Sequence, residues 1–227
     1  MKKSSAPGTI IIAAYKGRFA IFAHITVNTT RPEIMANKLK TRMLLADDIS
    51  LSLKDSLSVR KSTPGDLPRL QEIFSLAREF MAQSGNPSQW SPDYPGEALL
   101  LSDIGSEDSY VVEHRGRVIA TFVLREGEDP TYKVIYEGEW LDKGPYATIH
   151  RIASDGSVKG ILHLSVQFAL RKYRSIRIDT HRDNSVMRAA LLREGFRYCG
   201  IIRCWNGSER LAYQYVSEAS EDHKDSN

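Results

Sequence analysis

Apolar and polar positions fall into sustained periods only from Ser58 onward. Ser58–Lys61 reads as a short strand. Thr63-Pro64-Gly65-Asp66 is turn chemistry opening a helix, with Thr63 or Asp66 as the N-cap. Leu67, Leu70, Ile73, Phe74, Ala77 and Phe80 recur at helical spacing until Gly85-Asn86-Pro87 ends the run. A loop carrying Trp90 leads to a second helix over Gly96–Ile104. Tyr110–Glu113 and Val118–Leu124 are β-rich runs on either side of His114-Arg115-Gly116-Arg117, a tight hairpin turn. Tyr146–Ala153 predicts another strand, and Gly160–Lys172 a helix with Ile161, Leu164 and Phe168 among its apolar positions. Ser175–Thr180 alternates as a strand. Asn184–Glu194 is a helix striped by Val186, Met187, Ala190 and Leu191, and Gly195 is its left-handed terminator. Arg197–Ile202 and Arg210–Val216 complete the strands. Helices between strands imply an α/β sheet, and the early hairpin makes that sheet mixed.

Length sets the frame around this pattern. The 227 residues allow one domain plus an extension. Residues 58–216 form the organised domain. Residues 1–57 are a poorly defined N-terminal extension, and 217–227 a polar C-terminal tail. No acidic residue occurs before Glu33, whereas Lys2, Lys3, Lys16, Arg18 and Arg31 are basic. A targeting peptide shares that bias. The apolar stretches Thr9–Ala14 and Phe19–Val27 give neither a long hydrophobic region nor a clean cleavage site, so a dispensable extension is the simpler expectation. Hydrophobic residues at 41% and charged residues at 26% support a packed core without metal or disulfide help. The net charge of +3 is scattered rather than striped, which argues against a nucleic-acid partner. Cys199 and Cys204 form no disulfide framework, and no Cys/His cluster has metal spacing. A reducing, cytoplasmic setting follows, with no membrane span expected.

Two stretches carry chemistry. In the first, Ile149–Ser154 runs as a strand into Asp155-Gly156-Ser157-Val158-Lys159-Gly160, and a helix opens there. A helix start leaves amide hydrogens unpartnered, and its dipole adds positive charge, so together they suit a phosphate or pyrophosphate. Gly160 permits close backbone approach, and Lys159 could add a charged contact. The second is Arg177–Asn184, a polar cluster joining a strand end to a helix start, where α/β sheets place ligands.

These segments resemble the GNAT superfamily of N-acetyltransferases from about Ser58 to Val216. That family's pyrophosphate motif, R/Q-x-x-G-x-G/A, falls on Ser157, Gly160 and Leu162, of which only Gly160 matches. Its later pattern of Asn, helix, then Gly-Phe matches Asn184, Gly195 and Phe196. The pieces HRIAS, THRDN and REGFRYCGII resemble a bacterial branch of the superfamily. The resemblance implies a GNAT-like fold, a central mixed β-sheet flanked by helices. It implies acetyl-CoA as cosubstrate, with the pantetheine arm beside Ile152, Ala153 and Ser154. The diphosphate would then lie over Lys159, Gly160, Ile161 and Leu162, and Asn184 would face the cofactor.

The implied reaction moves an acetyl group to a primary amine of a small molecule or peptide in one ternary complex. It needs a base for the amine and an acid for the leaving thiolate. Many family members place a Tyr where this chain has Leu191. Glu139 and His150 are the preferred bases, with Glu137 a further carboxylate, and Tyr198 could supply the acid. Trp90, Tyr94 and His181 are the expected acceptor contacts. A non-catalytic acyl-CoA-binding module is the alternative, favoured by Ser157, Leu162 and Leu191. A homodimer is left open.

Overall fold

The computed structural model describes residues 57–217, so the expectations for residues 1–56 and for the tail beyond Ser217 lie outside the described residues. The elements, in order, are β1 (Leu57–Lys61), α1 (Leu67–Gln83), α2 (Glu97–Gly105), β2 (Ser109–His114), β3 (Arg117–Glu126), β4 (Ala147–Ser154), α3 (Ile161–Leu170), β5 (Ser175–Thr180), α4 (Ser185–Arg193), β6 (Arg197–Arg203) and β7 (Glu209–Val216). Two short 3₁₀ turns join them, Pro64–Asp66 where turn chemistry was expected and Pro130–Tyr132, which was not expected from the sequence. Each opens on a proline, which sets φ for a tight turn.

Local chemistry explains the boundaries. Thr63 and Asp66 form a capping box before α1. The β2–β3 turn carries positive φ at both Arg115 and Gly116, as a primed two-residue hairpin requires. Gly160 is the residue before α3 rather than its first turn, and it sits in the left-handed region at φ 83°. Asn184 caps α4 by accepting the Met187 amide.

The sheet has seven strands in the order β1-β2-β3-β4-β5-β7-β6. All neighbours are antiparallel except β4 and β5. One face packs under α3 and α4, where Phe122, Ile149, Ile176 and Ile178 meet Ile161, Val166 and Leu191. On the other face α1 and α2 cover the β2–β4 region, with Leu70, Ile73, Phe74 and Leu100 against Val111 and Val118. The long connection from β3 to β4 covers the rest of that second face. It packs Tyr132, Ile135 and Trp140 over Ile202 and Ala212. No helix among the described residues is long and apolar enough to cross a membrane.

β4 and β5 share only two residue pairs, Ala147 with Ile176 and Thr148 with Arg177. Beyond Thr148 the strands part. On its other edge β4 stays paired to β3, with one extra residue inserted near Arg151, which has φ 48°. Such a bulge bends and twists the strand that carries it. β5 meanwhile stays paired to β7 along its whole length, from Ser175 to Thr180. The result is a wedge-shaped opening in the middle of the sheet.

The β3–β4 connection is fastened to the sheet's far edge. Tyr136 and Ile201 exchange backbone hydrogen bonds of 2.8 Å, and the Leu141 amide donates to Gln214 Oε1 at 2.7 Å. Gly138 lies so close to β6 that a Cβ there would overlap the Cys199 carbonyl oxygen. Gly138→Ala is therefore expected to lower unfolding stability by about 1–3 kcal/mol, read from denaturant midpoints, because backbone on both sides must move.

Candidate active site

One cavity of about 1090 Å³ occupies the opening between β4 and β5. Its cofactor-like wall is the freed edge of β4. From Ile149 to Ser154 that edge has no strand partner toward β5, so its amides and carbonyls face open space. Ile152, Ala153 and Ser154 line the cavity there, as do Ile161 and Leu162 from the first turn of α3 and Asn184 at the start of α4. Six of the eight residues expected on the cofactor side are thus brought together. Lys159 and Gly160 are not in the lining; they sit exposed on the turn that leads into it.

That turn is open rather than covered. Gly156 and Gly160 both adopt left-handed φ, 78° and 83°. The first helical bond of α3 runs from the Leu164 amide to the Gly160 carbonyl, so the amides of Ile161, Leu162 and His163 have no intrahelical partner. An acidic residue beside them, Asp155, is already occupied. Its carboxylate accepts from the Ser157 amide and hydroxyl and pairs with Arg69. Burial opposes its ionisation, but the Ser157 hydrogen bonds and the Arg69 charge outweigh that and lower its pKa.

At the other end of the β4 edge, His150 points to the face covered by the β3–β4 connection. Its Nε2 lies 2.9 Å from Asp129 Oδ2, and its ring meets the Tyr132 ring edge-on at 5.7 Å. The other carboxylate oxygen of Asp129 accepts from the Thr131 amide (2.8 Å) and hydroxyl (2.6 Å). Burial alone would raise the Asp129 pKa, yet the hydrogen bonds from His150 and Thr131 hold it well below the usual carboxylate range. An ionised carboxylate only accepts, so Nε2 is the nitrogen that donates to Asp129.

The acceptor-like wall comes from α1 and the loop after it. Trp90 packs edge-on against Phe74 at 5.7 Å and against Tyr94 at 5.8 Å, and both loop aromatics line the cavity. Gln89 clamps this loop across the opening. Its Oε1 accepts from Asn86 Nδ2 (2.8 Å), Asn184 Nδ2 (3.0 Å), the His181 amide (3.3 Å) and the Thr180 hydroxyl (3.4 Å). Arg210 adds a bond to the Gln89 carbonyl at 3.1 Å. His181 lines the cavity as well, and burial together with the Arg210 charge lowers its pKa.

Two expected catalytic residues fall elsewhere. Glu139 is exposed on the segment fastened to β6 and does not line the cavity. Its nearness to β4 in sequence misleads, because residues 127–146 leave β3 and travel across β7 to the sheet edge before returning. Glu137 is exposed on the same segment. Tyr198 is 48% exposed and stacks edge-on with Tyr213. It follows α4 in the chain, but β7 inserts between β5 and β6 and carries it away from the opening. Leu191 is fully buried in the core under α4.

Sequence reasoning passed over Asp129 and Arg151. Asp129-Pro130 is a turn-opening pair, which marks Asp129 as a cap but not as a histidine partner. Arg151 lines the cavity, and its Nη2 reaches Asp103 Oδ1 of α2 at 2.7 Å. Nothing in the local sequence announces the bulge that turns it there.

No protein-family model and no curated protein matches the sequence. Solved structures do. A GNAT-family acetyltransferase from Streptococcus agalactiae is 30% identical over 71% of this chain and 96% of its own, with a TM-score of 0.64. A GNAT-family acetyltransferase from Listeria monocytogenes, at 20% identity, covers 70% of this chain and 94% of its own with a TM-score of 0.54, a likeness of fold. The open β4 edge, the exposed turn before α3 and the Streptococcus relative agree, and the chain belongs to the GNAT family of acetyltransferases.

Proposed function

We propose that this protein transfers the acetyl group of acetyl-CoA to a primary amine of a small molecule or peptide, within one ternary complex, and that residues 58–216 are the catalytic unit. The observation that carries the proposal is a single cavity with an unpaired strand edge along one wall. The free amides of α3 stand at one end of that edge, and a carboxylate-held histidine at the other. The residues present fit the cosubstrate. An extended pantetheine arm can be held as an added strand by the backbone of Ile152, Ala153 and Ser154. The amides of Ile161, Leu162 and His163 suit its diphosphate, with Lys159 exposed beside them. Acetyl-CoA supplies the activated acyl group; the remaining work falls to side chains of the chain.

His150 is the base in this reading. Asp129 fixes its tautomer, so Nδ1 is the nitrogen that takes a proton from the amine. Trp90, Tyr94 and His181 border the acceptor space. On α4, the cavity-lining side chains Asn184, Val186, Met187 and Ala190 include no proton donor acidic enough to replace the tyrosine common in the family. That fact, with Leu191 buried, favours the second reading, an acyl-CoA-binding module without transfer. Two unpaired cysteines, one of them buried, support a cytoplasmic setting.

Three measurements test this. Calorimetry with acetyl-CoA should show saturable binding, and Gly160→Asp should weaken it by about tenfold or more, by setting a carboxylate against the diphosphate. Gly160→Asn is the control, since Asn tolerates the left-handed φ and is neutral; equal losses from both would assign the effect to backbone strain and remove the anion site. His150→Gln should cut thiol release in an amine screen by about 10²–10⁴-fold while leaving acetyl-CoA affinity in place. Full activity in that variant would move the base elsewhere, and no release by the unaltered protein with any amine would favour the binding module. Finally, Asp129 titrates lower folded than unfolded, so its stabilisation is complete above its unfolded pKa of about 3.9 and is lost as pH falls further toward the folded value. The stability gap between the unaltered protein and Asp129→Asn should therefore be widest near neutral pH and close in acid. A gap that does not change with pH would mean that Asp129 is not an ionised partner of His150.

A further inference from the structure

The acceptor side of the cavity has two unlike walls. One is apolar. α1 buries Leu70, Ile73 and Phe74 against the sheet, yet on another side it holds Leu76 at 37% and Phe80 at 55% exposure, both lining the cavity. The aromatic pair Trp90 and Tyr94 continues this wall, and Gln89 pins it in place through donors from the far side of the opening. A helix in water gains nothing by presenting Phe and Leu to solvent at a cavity mouth, and a ligand that covers them recovers that burial.

The facing wall is polar, and its charges are largely spent. Arg151 is committed to Asp103, and Arg125 to Asp108 (3.1 Å) and Asp103 (3.5 Å). Arg210 faces Asp179 at 3.8 Å, and Tyr132 donates to the same carboxylate at 2.6 Å. Arg125, Arg151 and Arg210 all line the cavity. Glu79, Asp129, Asp155 and Asp179 line it too, and the last three are already engaged by His150, Arg69 and Arg210, so a ligand with several ammonium groups finds few free carboxylates there. A ligand with a single amine can direct it to His150 and the ionised Asp129 and lay the rest of its body on the apolar wall.

We infer that the acceptor is a monoamine with an aromatic body, an arylalkylamine, rather than a polyamine, an aminoglycoside or a small hydrophilic amine. The inference rests on the acetyl-transfer reading, because it takes His150 as the place where the amine is deprotonated. The ring lies against Phe80, Trp90 and Tyr94, within the 4.5–7 Å centroid range of aromatic pairs.

The test is a titration of the full chain, with CoA present, with 2-phenylethylamine, tryptamine, putrescine, kanamycin and glycinamide, followed by thiol release with acetyl-CoA. The two aryl amines should bind at least about tenfold more tightly than the other three, a factor typical of an aromatic contact made or lost. Phe80→Ser should erase most of that preference and leave putrescine unchanged. Phe80 is half exposed, so this variant keeps its fold, which near-UV circular dichroism checks; Leu76→Ser gives a second, smaller loss. Tighter binding of putrescine, kanamycin or glycinamide overturns the inference. So does an aryl preference that survives in both variants, or no binding of any amine. Aryl amines that bind but release no thiol would uphold the aromatic site and sink the transfer reading.

Discussion

The separation of β4 from β5 after Thr148 is the constraint on which the rest of the molecule depends. Inside a sheet, unpaired amides and carbonyls are costly unless something else meets them. Here β4 exposes six residues of edge in the middle of seven strands, in a cavity open to solvent. Each strand stays paired to its other neighbour: β3 holds β4, and β7 holds β5. The bulge at Arg151 bends β4 away, and a non-glycine residue at φ 48° carries a strain of order ~1–3 kcal/mol. The ion pair of Arg151 with buried Asp103 opposes relaxation of that bulge. Burial pushes the Asp103 pKa up, against the charges of Arg151 and Arg125, so this carboxylate is itself held at a cost.

The polar side chains around the opening share one logic. They join elements on opposite sides of it without filling it. Gln89 ties the α1–α2 loop to the end of β5 and the start of α4 through one oxygen. Tyr132 ties the β3–β4 connection to Asp179 of β5. Arg177 lies between the Trp140 and Tyr146 rings, 4.0 and 3.7 Å from their centroids, and pins the same connection over the sheet. A buried oxygen that accepts from several donors is expensive to leave unpaired, so each tie resists opening more than its net strength alone suggests. The cavity is thereby shaped in advance, and little rearrangement is left for binding.

Much of this was legible in the sequence, and the part that was not has a common cause. Every strand and helix expected from Ser58 to Val216 is present, because those elements are set by local period, caps and turns: Asn184 caps α4, and Gly195 ends it. Ile152, Ala153, Ser154, Ile161 and Leu162 lie together on the cavity wall as the sequence suggested, since strand, turn and helix follow one another there. Failure began where position depends on topology. Tyr198 is one short turn from α4 in sequence but two strands from β5 in the sheet. Glu139 is eight positions before β4 yet lies at the β6 edge, since the connection detours to pair with Ile201. Asp129 was missed for the converse reason: 21 positions separate it from His150, and only the antiparallel return of β4 along β3 closes that distance.

The same topology puts ionisable side chains of the opening on β4 and none of them on α4. Leu191 occupies the position where a tyrosine is common in the family, and it is sealed in the core beside Ile178 and Phe196. Placing a phenol there would bury a hydroxyl among apolar groups, at a cost of a few kcal/mol unless a partner were supplied. α4 is thus free to act as packing and as the N-cap that holds Gln89. His150 needs no such concession. It stands where the sheet already opens, it lines the cavity, and its Nε2 is held by Asp129. On the proposed reading, an amine that entered along the apolar wall would meet His150 at the point where the strands diverge.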